Sequence, residues 1–293
     1  MSKVNAWSFL KKKLQLFGIN TQAAAFGLGA WSIRAAVKER GLAQMVEKLR
    51  SIVPDISQQE ARPVLSTPFI EIKRRSLQAV QAELMLAEIR GIENPTVIDI
   101  GDSAGTHMLY LRTLAGESCN VNTISVNMDS RAIEKIRARG LTAIHSRAED
   151  LASTEVGDVS LLTSFEMVEH LHNPCIFFRR LALRGLSNRM LISVPYLRQS
   201  RVGFHHIREN DTSQQFAEDV HIFELSPEDW SMLFLHSGWR VVKSHIHYQY
   251  PKNWPVISWL LSIFWKNYDY EGFWCAVLEI DLSKSNLYTD WEE

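Results

Sequence analysis

Cysteine is scarce in this chain and scattered. Cys119, Cys175 and Cys275 are odd in number and form no C-x-x-C pair, which argues against a disulfide framework or a thiolate metal site and fits a reducing cytoplasm. Net charge is nearly absent as well: −1 over 293 residues gives no global attraction to nucleic acid or to an acidic partner. A dense apolar block of the kind that spans a bilayer is also missing. The longest uncharged run, LQLFGINTQAAAFGLGAWSI between Lys13 and Arg34, is diluted by Gln15, Asn20, Thr21, Gln22 and three glycines, so it reads as a docked helical extension ahead of a membrane span or a signal peptide. No internal repeat or low-complexity tract occurs, and 46% apolar with 22% charged residues is ordinary for a folded domain.

What charge there is lies unevenly. Residues 1–50 hold nine Lys/Arg and two Glu, a local balance of +7, leaving −8 for the rest. With Lys11-Lys12-Lys13 beside Trp and Phe residues, this end is a candidate for peripheral membrane contact, so the expected location is cytoplasmic with membrane association as an addition. Periodicity predicts amphipathic helices over Val37–Ile52 and Ser76–Ile89, joined by a connector from Pro54 to Pro68. Strands and helices then alternate: strands at Val97–Ile100, Thr123–Asn127, Thr142–His145, Val159–Thr163 and Met190–Val194, helices at Thr106–Leu114, Ser130–Arg139 and Pro174–Leu186. Such alternation predicts an α/β fold with a parallel sheet covered on both faces. About 30 polar, His-rich residues from Tyr196 to Leu225 interrupt the rhythm, a length typical of lids and binding loops. A helix at Pro227–Ser237 and strands at Arg240–His245 and Phe273–Ile280 complete the pattern. Between those strands, WPVISWLLSIFW (Trp254–Trp265) is apolar all round and reads first as a core or homodimer-facing helix, then as a cover for a greasy substrate or a membrane-facing patch. The division expected is a helical extension over 1–70 and one domain over 71–293.

The informative stretch is VIDIGDSAGTHMLYL. A buried-looking strand carries Asp99, breaks at Gly101-Asp102-Ser103-Ala104-Gly105, and resumes as a helix at Thr106. In open α/β sheets the first strand's turn faces the ligand crevice, and the helix start presents free N–H groups. The glycine spacing is not the G-x-G-x-x-G of a dinucleotide site, and Asp99 and Asp102 would repel a pyrophosphate while favouring an ammonium or sulfonium.

VIDIGDSAG resembles motif I of the class I S-adenosylmethionine-dependent methyltransferases, D-x-G-x-G-x-G, with Ser103 at the middle glycine. ISVNMDSRAIEKIRARG resembles their second strand and helix, HSRAEDL their third-strand turn, DVSLLTSFEMVEHLHNP their fourth-strand segment, and MLISVPY through HIFELSPEDWSMLFLHSGWRVV the late part of that domain. The resemblance covers about Gly91 to His247 and implies a doubly wound, Rossmann-like seven-stranded sheet with the last strand antiparallel. It implies S-adenosylmethionine as cofactor, bound by Asp99, Gly101, Ser103 and Gly105, with Asn127 at the ribose where the family often has an acid, Ala148 and Glu149 beside adenine, and Ser164 and Phe165 on the methionine side. Core packing is the competing reading of Phe165.

Methyl transfer requires an aligned acceptor and, for a hydroxyl, removal of its proton. His170 is the first candidate for base or acceptor-orienting group and Glu166 the next, with a purely structural histidine as the alternative. Glu166-x-x-Glu169-His170 with His221 also resembles metal-supported O-methyltransferases, including ubiquinone-pathway enzymes and those acting on small-RNA 3′ ends; a divalent ion is the less favoured addition. His205-His206 reads as solvated or as part of a substrate lid. With no basic groove, nucleic acid is disfavoured, and a small-molecule, glycan or lipid-linked acceptor fits better. Ser103 and Asn127 leave open a methyltransferase-fold scaffold without turnover; an NAD-dependent oxidoreductase is the third and weakest reading.

Overall fold

The computed structural model describes residues 21–59, 66–116, 119–153, 156–203, 207, 210, 212–216, 219–268 and 270–288. His205, His206 and Lys11–Lys13 lie outside them. The uncharged run enters the structure as helix α1 (Thr21–Glu39), which buries Ala30, Ile33, Ala36 and Val37. Val37–Ile52 is not one helix. Gly41 has φ +73°, a left-handed conformation that ends α1, and α2 (Ala43–Ile52) starts afresh. Helix α3 (Pro68–Glu88) begins eight residues before the periodicity suggested, because Thr67 accepts a hydrogen bond from the Ile70 N–H and Pro68 sets the first turn. The expected domain boundary at residue 70 therefore falls inside this helix. Arg75 of α3 is fully buried and donates to the carbonyls of Val53 (2.8 Å) and Pro54 (2.9 Å), tying the end of α2 to α3.

Seven strands form the main sheet in the order β3-β2-β1-β4-β5-β9-β8: β1 (Thr96–Ile100), β2 (Asn122–Asn127), β3 (Thr142–His145), β4 (Leu161–Phe165), β5 (Arg189–Pro195), β8 (Trp239–Tyr248) and β9 (Gly272–Ile280). All neighbours among the first five are parallel, and β9 is antiparallel to both β5 and β8. The sheet is thus Rossmann-like with only its last strand reversed. Helices α4 (Thr106–Ala115), α5 (Ser130–Ala138), α6 (Pro174–Arg184) and α7 (Pro227–His236) cover its faces. Strand β4 lies two residues later than its sequence pattern indicates. It is buried on both sides, so polar Thr163 and Ser164 belong to the strand and no alternation marks its end. Within Tyr196–Leu225, β6 (Arg201–Val202) and β7 (Phe223–Glu224) form a two-stranded ribbon.

Ile98, Ile100, Phe177, Phe178, Trp230 and Trp239 sit in the core between the sheet and α6 and α7, where the Trp239 indole N–H donates to the Phe178 carbonyl at 2.8 Å. Met85, Met108, Leu111 and Ile136 fill the other face. Helix α8 (Pro255–Asn267) joins α1 and α3 in a third cluster with Leu261, Phe264 and Trp265. No described helix is long and apolar enough to cross a membrane.

Candidate active site

Strand order reverses at β1: the chain runs outward through β2 and β3, then returns to β4 and β5 on the other side. The crevice beyond the carboxyl ends of β1 and β4 is where such sheets bind ligands. Gly101 has φ +94° and a Cβ there would lie 2.6 Å from Met167 Cγ; Gly105, φ +74°, caps α4 and a Cβ would meet Leu141 Cδ1 at 2.6 Å. Both positions thus need glycine for backbone conformation and for close packing, and Met167 fills the space over Gly101.

The acids of the bend are largely spent on the protein itself. Asp99 is buried and accepts from Thr163 Oγ1 at 2.8 Å, while its other oxygen lies 3.0 Å from His107 Nδ1 in the first turn of α4. The His107 ring stands edge-on to Phe165, 4.8 Å between centroids. Burial opposes charge on His107, but the Asp99 carboxylate outweighs it and raises the imidazole's proton affinity. Asp102 accepts from the Thr106 N–H (3.1 Å) and Ser125 Oγ (2.9 Å); burial, then the nearby Asp99, pushes its pKa up to about 6. Ser103 is half-buried in the same bend.

Of the other expected cofactor residues, Asn127 ends β2, donates to the Asp102 carbonyl (3.3 Å) and accepts from the Asp129 N–H (2.8 Å). One amide hydrogen and one lone pair on that side chain are not used by these bonds. Beside it Met128 is 60% exposed. Asn127 pairs with His145 of β3, so the turn carrying Ala148 and Glu149 leaves the sheet next to it. Ser164 is fully buried and donates to the Ile100 carbonyl at 3.1 Å; Phe165 packs into the core with Leu191 and Val277 while its ring touches His107.

Beyond β4 the structure separates the two catalytic candidates. Glu166 has φ +51°, a left-handed conformation unusual for a residue with a Cβ. Its Oε1 accepts from Ser193 Oγ at 3.0 Å, and Ser193 accepts from Gln81 Nε2 at 2.9 Å. Burial pushes the Glu166 pKa up to about 8, against the Ser193 hydrogen bond and the Lys73 charge. Burial lowers Lys73 to about 8 from the other direction, and its Nζ sits 3.7 Å from the centre of the Tyr270 ring. His170 lies on a short turn with Glu169. Its Nδ1 is 2.9 Å from the Val220 carbonyl, which can only accept, so Nδ1 carries the proton and Nε2 is the basic nitrogen, 4.0 Å from Glu169 Oε1.

Glu169, His170 and His221 bring one ligand-capable atom each to within 4.8 Å of one another, and the Glu169 carboxyl is buried with neither oxygen hydrogen-bonded. Burial, followed by Glu166 and Glu224, raises its proton affinity well above the usual range. The His170 and His221 rings meet edge to face, and His221 Nδ1 is 3.6 Å from Glu224, itself bonded by Arg201 at 2.6 Å. Glu166 does not belong to this triad. A cavity of about 360 Å³ is lined by Tyr196, Arg198, Tyr270 and Glu271 near the end of β5 and the start of β9, large enough for a small molecule. His107, Lys73, Ser193 and Tyr270 were not visible as site residues in the sequence. Only His107, in the helix turn after a motif that ends in glycine, carries a local signal.

No family model matches the chain, and no curated protein matches it. Among solved structures, a Galdieria sulphuraria protein described as a sarcosine dimethylglycine methyltransferase shares 13% identity over 80% of this chain and 98% of its own, with a TM-score of 0.51. Magnesium protoporphyrin IX methyltransferase from Synechocystis PCC 6803, solved with bound S-adenosylhomocysteine, shares 8% over 82% and 95%, with a TM-score of 0.50. A chain from the complex of the Haloferax volcanii Trm112 methyltransferase activator with a protein described as a methyltransferase shares 16% over 68% and 88%, also at 0.50. At these identities the likeness is one of architecture: the chain has the fold of the class I S-adenosylmethionine-dependent methyltransferases.

Proposed function

We propose that this protein is an S-adenosylmethionine-dependent methyltransferase that transfers a methyl group to a hydroxyl of a small-molecule, glycan or lipid-linked acceptor. One observation carries the reading. Asp102, Glu166 and Glu169 stand along the carboxyl edge of the sheet, Asp102 and Glu169 buried and Glu166 half-buried, and burial raises the proton affinity of all three. A ligand that brings positive charge is favoured there and a pyrophosphate is not.

The residues fit such a cofactor. Asn127 has hydrogen-bonding capacity to spare for ribose hydroxyls, Met128 offers an uncovered apolar surface to a base, and His107, made more basic by Asp99, suits a carboxylate. Ser103, Gly105, Ala148 and Glu149 border the same crevice in this reading, while Asp99 acts through His107. S-adenosylmethionine supplies a methyl group on a positively charged sulfur, open to in-line displacement. What remains for the chain is to align the acceptor and take its proton. Glu166 is placed ahead of His170 for that role, since a base poised near the working pH is most effective, and the strained backbone holds it against Ser193 within reach of the Lys73 charge. The cavity at Tyr196 and Tyr270 is assigned to the acceptor.

Titration calorimetry with S-adenosylmethionine and S-adenosylhomocysteine tests the proposal. Binding of both is expected; no heat with either at high micromolar concentration overturns it in favour of a fold used as a scaffold. A second reading adds a divalent cation at Glu169, His170 and His221, favoured by the two unbonded carboxylate oxygens. Thermal stabilisation by Mn²⁺ or Mg²⁺ that disappears in Glu169→Gln supports it, and indifference to both ions removes it.

A further inference from the structure

Helix α8 is apolar on two opposite faces. Ser258, Leu261, Phe264 and Trp265 turn inward, and i, i+3, i+4, i+7 along the other side runs a stripe that the fold leaves open: Val256 is 71% exposed, Trp259 63%, Leu260 53% and Ile263 41%. A soluble helix ordinarily carries polar residues on that side. On its neighbour α1, Ile33 and Val37 are buried while Phe26 and Trp31 are more than 40% exposed. The two helices are joined into one surface. Trp265 Nε1 donates to Ser32 Oγ at 3.0 Å, Phe69 is stacked between Phe26 and Trp265, and Glu39 at the end of α1 accepts from the backbone N–H groups of Lys252 and Asn253 just before α8. The outward stripe of α8 is thus an open apolar face beside α1, of the kind that marks an interaction site.

Its charges say what covers it. Helix α8 contains no acid, and α1 contains none before Glu39, which is engaged as above. Lys266 stands in the last turn of α8, Lys252 lies just before the helix over the rings of Tyr248 and Tyr250, Arg34 and Lys38 are on α1, and Lys11–Lys13 precede α1 in the chain. Tryptophan among aliphatic residues with a border of lysine and arginine is the composition of a surface that lies in the headgroup region of an anionic bilayer. We propose that the outer face of α8, with α1 beside it, docks this protein on membranes containing anionic phospholipid, lying on the surface without crossing it.

Co-sedimentation of the full-length protein with vesicles tests this, using phosphatidylcholine with phosphatidylglycerol against phosphatidylcholine alone. The expected result is binding to the mixed vesicles that weakens in high salt, with loss of about tenfold or more in partitioning for Val256→Ser/Trp259→Ser, whose exposed positions leave the circular dichroism and melting temperature unchanged. Failure of the wild-type protein to sediment with the mixed vesicles overturns the proposal. So does binding that survives in Val256→Ser/Trp259→Ser but is lost when Lys11, Lys12 and Lys13 are replaced by Gln, which would assign attachment to the basic segment. A dimer in analytical ultracentrifugation that the double variant converts to monomer, without vesicle binding, would show that a second copy covers this face. None of these outcomes depends on methyltransferase activity.

Discussion

Replacing Glu166 by Gln should make the protein more stable while stopping its chemistry. The folded-state pKa of Glu166 is about 8, raised by burial from an ordinary 4.5. Between those values the folded protein must hold a proton that the unfolded chain releases, so stability is fully present below about pH 4.5 and is lost as pH rises through 8. Each unit corresponds to about 1.4 kcal/mol, which gives a loss on the order of 3 kcal/mol at pH 7 and 4–5 kcal/mol at pH 8 and above. Gln keeps an acceptor for Ser193 Oγ and does not ionise. It also relieves Glu169, part of whose raised proton affinity comes from Glu166, in the same direction. Urea unfolding of both proteins at pH 5, 6, 7 and 8 should show near-equal stabilities at pH 5 and a gap that widens steadily toward pH 8. A gap that stays constant with pH would refute the burial argument. Methyl transfer by Glu166→Gln should fall by about 10²–10⁴ with affinity for S-adenosylhomocysteine, whose sulfur is uncharged, retained, and unchanged turnover would remove Glu166 from the mechanism.

Glu224 is expected to behave oppositely: burial works against its charge, but His221 and Arg201 hold its pKa near 2, so its contribution is present above about pH 4.5 and lost as pH falls toward 2. Glu224→Gln should cost on the order of 2–3 kcal/mol in neutral urea melts and flatten the acid limb. Gly101→Ala meets both a left-handed backbone and Met167, and should lower stability by about 1–3 kcal/mol in the same assay. Asn127→Ala should weaken S-adenosylmethionine binding about 3- to 10-fold by calorimetry, the worth of a neutral hydrogen bond. Calorimetry in buffers of differing ionisation enthalpy should detect more protons released with S-adenosylmethionine than with uncharged-sulfur S-adenosylhomocysteine; equal release would show that the buried carboxyls do not sense the sulfonium.

The parallel sheet was legible because strands alternate with helices whose ends carry local signals: Gly140 after α5, Asn173-Pro174 before α6, Ser226-Pro227 before α7. Gly41 was an equally legible stop, yet apolar spacing continued across it from Val37 to Val46 and masked the break. The end of β4 could not be read, since a strand buried on both faces has no period to lose. In the site, the bend and Glu166 were found from local spacing. Lys73, Gln81 and Ser193 were not, because the first two stand on α3, ahead of the region that carries the resemblance, and the third on β5; nothing near any of them in the chain points to Glu166.

Asp99 shows why letters in the expected places still leave a role open. In sequence it is the acid of the glycine bend and the first residue to assign to a ligand. In the folded protein its two oxygens meet Thr163 and His107, and the side chain is 1% exposed. A carboxylate so placed acts on its neighbour: it orients the His107 ring through Nδ1 and raises its basicity, and in the proposed reading it serves the ligand only through that ring. In the proposed reading the crevice thus pairs a more basic imidazole at His107 with Asp102 and Glu166, whose proton affinities are raised by burial. In that reading the pairing suits a ligand with a carboxylate at one end and a positive centre beside it better than a pyrophosphate or a simple cation.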